Sequence, residues 1–149
     1  MFGECFGGHG DQTGLRDQLS KALEDLEPPD LFFTAHNHIY ARSLPLDRDG
    51  RPVTSGTGGV RYFVTGGGGG PLYAIKKKDP RFPKASNVYH FVYLRLTADS
   101  AFFWTIDAGG KVRDSGCFDK GSNVDRPLAT TFSYADSLPL RCGAPGGGS

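Results

Sequence analysis

The sequence predicts an α+β fold in which one amphipathic helix precedes a mainly antiparallel β-sheet. Two patterns support this fold: apolar residues recur at helical spacing between residues 15 and 26, and several short runs after residue 38 alternate with period two. A chain of 149 residues is long enough for one domain. We divide it into a folded domain over residues 1–118 and a Pro-, Gly- and Ser-rich tail over residues 119–149, which is expected to be poorly ordered.

The helix is predicted from residue 15 to about residue 26. Thr13 is suited to cap its N-terminus. Its apolar stripe consists of Leu15, Leu19, Ala22, Leu23 and Leu26, and polar side chains occupy the other faces. Glu27-Pro28-Pro29 ends it, because proline cannot continue the helical hydrogen-bond ladder and restricts the residue before it. A short apolar strand over residues 31–35 follows.

The remaining strands are predicted from alternation of side-chain polarity. Their ranges are 39–46, 51–55, 60–65, 88–96, 101–106 and 111–118. Turn-forming residues at 47–50, 97–100 and 107–110 separate neighbouring strands and predict an antiparallel meander. Phe102, Trp104 and Ile106 are expected to share one face of their strand. His90 lies on an apolar strand face and is interpreted as a packed core histidine.

Composition excludes several classes of partner. A net charge of +1 gives no reason to expect binding to nucleic acid or to an anionic membrane. No apolar run reaches the about 18 residues of a membrane span, and the first five residues lack the pattern of a signal peptide. Cys5, Cys117 and Cys142 form neither a disulfide framework nor a metal knuckle. A single bridge between two of them remains open, as does the compartment.

The triplet His36-Asn37-His38 is the strongest functional signal. It follows an apolar strand, and the ends of strands at the rim of an open α/β sheet are where ligands bind. Residues i and i+2 of an extended segment point the same way, so both imidazoles are predicted to converge on one region. Histidine is the commonest metal ligand, which makes this a candidate metal site.

Residues 30–42 resemble the closing motif of the calcineurin-like metallophosphoesterase family. In that motif an acidic residue and an apolar strand precede Gly-His-x-His, and an aromatic residue and an arginine often follow. Here Ala35 stands in the place of the usual glycine, and Tyr40 and Arg42 follow the histidines. The resemblance extends through Gly7-Gly8-His9-Gly10, the predicted helix, residues 64–69 and the last hairpins, and covers residues 3–118. It implies the C-terminal part of an α/β/β/α sandwich.

The resemblance also implies roles for these residues. Family members hold two divalent metals (Mn, Zn or Fe) about 3.5–4 Å apart, which bind the phosphoester substrate and activate a bridging water. By resemblance, His36 and His38 each bind one metal. His9, Asn37, Tyr40 and Arg42 are expected next to the metal ligands or the substrate, and for Arg42 a structural role is preferred to contact with a phosphate. No residue is assigned as catalytic.

The sequence departs from the family upstream of this motif. The family's Asp-x-His, Gly-Asp-x-x-Asp and Gly-Asn-His-Glu motifs, and a further histidine, have no counterpart here. We therefore interpret the chain as the C-terminal portion of a metal-dependent phosphoester hydrolase domain, or as a degenerate descendant of one. In isolation it is expected to be inactive, to hold no metal stably, and to self-associate through an exposed sheet edge.

Two other functions compete with this interpretation. A non-catalytic β-rich interaction or accessory module is the main alternative, and the missing metal ligands favour it. A mononuclear His-x-His site in a cupin-like barrel is a weaker one, because no glutamate follows the pair within reach and the preceding helix does not fit a barrel.

Overall fold

The computed structural model describes residues 29–55, 58–128 and 141–143, together with Gln18. This part of the chain forms seven strands in two sheets. The strands are β1 (Leu31–Thr34), β2 (Tyr40–Arg42), β3 (Arg61–Thr65), β4 (Lys84–Ser86), β5 (His90–Leu96), β6 (Ser100–Asp107) and β7 (Val112–Asp119).

The predicted α+β fold is wrong for the described residues, which form two packed β-sheets and no helical layer. The α/β/β/α layering implied by the family resemblance is corrected in the same way. The physical reason is that the two sheets bury their inner faces against each other, and loop residues such as Phe82 and Cys142 pack on the outer faces. The helix predicted over residues 15–26 lies outside the described residues, apart from Gln18.

The first sheet has the order β1-β3-β2-β4 and is mixed. β1 pairs with β3 in parallel, with Phe33 opposite Phe63, whereas β2 is antiparallel to both β3 and β4. β1 and β2 therefore flank β3, and the connection that joins them, residues 35–39, lies near the carboxyl end of β3. The His-Asn-His triplet occupies this connection.

The second sheet is the predicted antiparallel meander, with the order β5-β6-β7. The central strand β6 is buried along its whole length. Phe102, Trp104 and Ile106 share its outer face, as predicted, and alternate with Ala101, Phe103 and Thr105 on its inner face. A strand buried on both faces needs cover on both sides.

The core between the sheets is aromatic. Tyr40 and Phe63 of the first sheet pack against Ala101, Phe103 and Phe118 of the second. The Phe63 and Phe103 rings meet edge to face with centroids 5.1 Å apart, a favoured arrangement for aromatic pairs. This core places the carboxyl ends of β1 and β3 at one edge of the sandwich.

Parts of the segment predicted to be a tail pack on the second sheet. The Cys117–Cys142 disulfide joins residues 141–143 to the outer face of β7. Arg126 exchanges two backbone hydrogen bonds with Cys117. The rest of residues 129–149 lies outside the described residues, as does Cys5. No helix in the described part of the chain is long and apolar enough to cross a membrane.

Candidate functional site

The loop that carries the histidines makes two tight turns. Asn37 N donates to Ala35 O at 2.9 Å, and Ile39 N donates to Asn37 O at 2.8 Å. His36, between the first pair, has a φ of 73°, a left-handed conformation that non-glycine residues seldom adopt. The segment is therefore not extended, and the sequence argument that residues i and i+2 point the same way does not apply to it. Backbone outliers of this kind cluster at functional sites.

Glycines make this loop possible by allowing the chain after β3 to pass close beneath it. A Cβ on Gly66 would lie 2.2 Å from Asn37 O, a backbone atom that has no freedom to move aside. A Cβ on Gly70 would lie 2.4 Å from Cε1 of His38. Gly66 and Gly70 thus allow a close backbone approach that a side chain would prevent.

His38 is held by the loop that follows the glycines. Its Nδ1 lies 2.8 Å from Pro71 O, and its ring stacks on Tyr73 with centroids 4.6 Å apart and planes inclined by 19°. Tyr73 N also donates to His38 O at 3.0 Å. Among the described residues, no hydrogen bond to Nε2 of His38 is present. His36 is exposed at the turn.

Asn37 lies between the two histidines and is half-buried. Its backbone oxygen accepts the Ile39 hydrogen bond, but its buried side-chain Oδ1 has no hydrogen-bond partner among the described residues. A buried acceptor without a donor is costly and is often explained by an absent water or ion.

Tyr40 and Arg42 point into the sandwich, away from the histidine loop. Tyr40 Oη donates to Asp114 at 2.7 Å, and Arg42 Nε donates to the same oxygen at 2.7 Å. Arg42 also contacts Asp125, which in turn accepts from Arg61 Nε at 2.5 Å. The two positive and two negative side chains balance, and together with Tyr40 they form what we call the buried ion cluster.

The cluster shifts the pKa values of Tyr40 and Arg42. Burial, then the negative charge of Asp114, raises the pKa of Tyr40 far above its usual value, so the phenol keeps its proton. Burial alone lowers the pKa of Arg42, but hydrogen bonding to Asp114 and the charges of Asp114 and Asp125 outweigh it and raise that pKa. These contacts give Arg42 a structural role in the core, the role that the sequence analysis preferred for it.

His90 is a buried histidine with partners on both ring nitrogens. Nδ1 lies 2.8 Å from Val88 O, and Nε2 lies 3.1 Å from Thr65 Oγ1. Its ring meets Tyr40 edge-on at 5.3 Å. These contacts agree with the interpretation of His90 as a packed core residue. In spectra of the histidines, His90 can therefore be compared with His36 and His38 of the loop.

The structure brings His36, Asn37 and His38 together in one loop, whereas His9 lies outside the described residues. Sequence reasoning missed Arg61, Asp114 and Asp125, which lie far apart in the chain and carry no local motif. It also missed Pro71 and Tyr73. The one sequence feature that could have drawn attention to them is an aromatic residue two positions after a proline, directly after the glycine-rich stretch. In the described part of the chain, no group of three or more His, Cys, Asp or Glu side chains could hold a metal.

Comparison of the chain with protein-family models, with curated proteins and with solved structures gave no match.

Proposed function

We propose that this chain contributes metal-binding histidines, His36 and His38, to the site of a metal-dependent phosphoester hydrolase. The observation that carries the proposal is the anchoring of His38: its Nδ1 lies 2.8 Å from a backbone carbonyl, which leaves Nε2 as the nitrogen with a lone pair. Histidines that bind metals commonly donate their other ring N–H to such a carbonyl.

The surroundings of the loop support the same assignment. The loop lies at the carboxyl ends of the parallel strands β1 and β3, at one edge of the sandwich. The side-chain Oδ1 of Asn37, which has no hydrogen-bond partner among the described residues, is a candidate oxygen ligand in the same loop. Imidazole nitrogen and neutral oxygen together suit Zn, Mn or Fe.

Two such metals supply a bound hydroxide and neutralise the charge of a phosphoester. This chain's own part is to hold the two imidazoles on a rigid loop at the rim of the sandwich. Tyr40 and Arg42, tied to Asp114, support that rim from inside the core. A dinuclear site also needs acidic ligands, and none forms a metal-binding group with the histidines among the described residues. We therefore expect the isolated chain to bind metal weakly and to be inactive.

A non-catalytic interaction module is the second candidate. It is favoured by the engagement of Arg42 with Asp114 and Asp125, which makes this arginine unavailable for a phosphate. It is also favoured by the lack of a metal-binding cluster of three residues in the described ranges.

A titration of histidine-labelled chain with Zn²⁺, Mn²⁺ and Fe²⁺ separates the two candidates. With diamagnetic Zn²⁺, the imidazole ¹⁵N signals of His36 and His38 should shift and those of His90 should not, and His36→Ala or His38→Ala should abolish the response. Paramagnetic Mn²⁺ and Fe²⁺ should instead broaden the signals nearest the metal, and the same two substitutions should abolish this broadening. Hydrolysis of p-nitrophenyl phosphate is measured on the same samples. Turnover that disappears in His38→Ala would show that the chain holds the remaining ligands itself. Signals of both loop histidines that stay unchanged with all three metals would refute the proposal and leave the interaction module.

A further inference from the structure

We infer that the segment Gly70–Tyr73 is a positioning element for His38, which fixes the tautomer and the plane of its ring so that Nε2 is the nitrogen offered to a metal. The metal-binding part of this inference rests on the proposed function. The tautomer and ring plane do not, and they are measurable in metal-free protein.

The tautomer follows from the partner of Nδ1. A backbone carbonyl oxygen only accepts hydrogen bonds, so the nitrogen 2.8 Å from Pro71 O must carry the proton. A neutral imidazole has one N–H, which leaves the lone pair on Nε2. An untethered neutral histidine side chain prefers the opposite form, with the proton on Nε2. The Pro71 carbonyl therefore selects the less common tautomer.

The ring plane follows from Tyr73. Its ring lies nearly parallel to the imidazole at a centroid distance of 4.6 Å, and its backbone N–H donates to His38 O. One residue thus contacts both the side chain and the main chain of His38. A ring held at its edge by Pro71 and at its face by Tyr73 has little freedom to rotate about χ2.

Gly70 is the residue that lets the ring lie there. A Cβ at this position would stand 2.4 Å from Cε1 and 2.7 Å from Nδ1 of His38. The backbone of Gly70 is not in the left-handed region, so an alanine there would be opposed by the His38 ring, which would have to move, and not by its own backbone conformation. Gly68 has the same freedom from backbone strain and no atom within 4 Å of a built Cβ, so it is a matched control.

Long-range ¹H–¹⁵N correlation spectra of the metal-free full chain, recorded where imidazoles are neutral, report the tautomers directly. His38 should show the proton on Nδ1, as should His90, whose Nδ1 lies against Val88 O. Gly70→Ala should move His38 toward the Nε2–H form, because the ring can swing away without unfolding the chain. Gly68→Ala should leave the spectrum unchanged. Tyr73→Phe should behave as wild type, whereas Tyr73→Ala should give a mixture of tautomers.

Two results would overturn the inference. The first is a wild-type His38 with its proton on Nε2. The second is a wild-type His38 tautomer in all three variants, Gly68→Ala, Gly70→Ala and Tyr73→Ala. Zn²⁺ affinity measured on the same variants should fall about tenfold or more in Gly70→Ala, the usual effect of losing a partner that orients a metal ligand. If His38 has the expected tautomer and neither it nor His36 responds to Zn²⁺, the positioning stands and the proposed function fails.

Discussion

The buried ion cluster is the residue-scale feature on which the sandwich depends most. Arg42 and Asp114 form an ion pair that is almost completely buried. Arg42 also pairs with Asp125, which pairs in turn with Arg61. Arg61 has no exposed surface, and its guanidinium lies 3.9 Å from the centre of the Phe118 ring. Removing one partner of a buried pair leaves an uncompensated charge, which costs far more than losing the attraction itself.

We therefore expect Arg42→Met to lower the free energy of unfolding by about 3–5 kcal/mol, because Asp114 loses its charged partner inside the core. Arg51→Met is the matched control, since the Arg51–Asp49 pair is exposed and should change stability by no more than about 1 kcal/mol. Urea unfolding at neutral pH measures both. Equal effects of the two substitutions would contradict the assignment of Arg42 to a buried cluster.

Gly66 is the second residue on which the site depends, since Asn37 O occupies the place of any side chain there. Gly66→Ala should destabilise the chain and shift the NMR signals of His36 and His38. Gly68→Ala should leave these signals in place and stabilise the chain by up to about 1 kcal/mol, because alanine restricts the unfolded state. Thermal unfolding and histidine spectra of both variants test this. A Gly66→Ala variant with wild-type stability and spectrum would rule out the close approach.

Local sequence patterns predicted some of these residue-level features and not others. The sequence located the His-Asn-His loop, because its residues are contiguous in the chain. It did not predict the left-handed backbone of His36, since nothing in a histidine codes for a positive φ. It also did not predict Asp114 as the partner of Tyr40, because these residues are 74 positions apart.

At the element scale, the sequence pattern predicted four strands within a few residues of their observed ends. The predicted ranges 60–65, 88–96, 101–106 and 111–118 contain most of β3, β5, β6 and β7. β4 was missed because Lys84-Ala85-Ser86 is a short, mostly exposed edge with no apolar alternation. The strand predicted over residues 51–55 is reduced to an isolated bridge at Pro52, where proline has no N–H to donate.

The link between β7 and residues 141–143 is expected to stabilise the second sheet. The Cys117–Cys142 disulfide closes a loop with a sequence separation of 25, for which the unfolded-state entropy model gives about 3.5 kcal/mol. Reductant should lower the unfolding midpoint of wild type and have no effect on the Cys117→Ala/Cys142→Ala double variant. Thiol titration in denaturant should find one free thiol in oxidised wild type, that of Cys5. A midpoint insensitive to reductant would refute the stabilising role.

Two aspartates, Asp107 at the end of β6 and Asp119 at the end of β7, are expected to make the free energy of unfolding depend on pH in the acid range. The hydroxyl of Ser100, followed by Arg126, holds the pKa of Asp119 below its usual value, while the Lys111 N–H, Arg113 and the Gly109 N–H do the same for Asp107. In both cases burial acts in the opposite direction and is outweighed.

Because both folded-state pKa values are lowered, the unfolded chain binds more protons at about pH 4 than the folded one. The stabilisation is therefore complete above the unfolded pKa, about 3.9, and is lost as the pH falls through the folded values. Urea unfolding between neutral and acid pH should show this loss. Asp119→Asn should be less stable at neutral pH and should lose less on acidification. An unchanged acid slope in Asp119→Asn would contradict the role of Asp119.

At the scale of the whole molecule, the two sheets leave edges of very different character. β4 is short and carries Lys84, and β7 is joined to Arg126, so both edges are protected in ways that natural sheets commonly use. β1 pairs with β3 alone among the described strands, and Leu31-Phe32-Phe33-Thr34 has no charged residue. Phe33 stacks on Phe63 yet remains 40% exposed. β1 is thus the edge at which another strand would pair most readily.

We expect the chain to self-associate through β1, because its outer N–H and C=O groups, which pair with no other described strand, and the exposed Phe33 ring would both be satisfied by a second copy. Sedimentation velocity over a range of concentrations should show reversible association that Phe33→Lys abolishes. Phe91→Lys is the matched control: Phe91 is 56% exposed on β5, an edge strand that also carries Arg95. Association lost in Phe91→Lys but kept in Phe33→Lys would transfer the contact to the second sheet, and a wild-type monomer at high concentration would exclude it altogether.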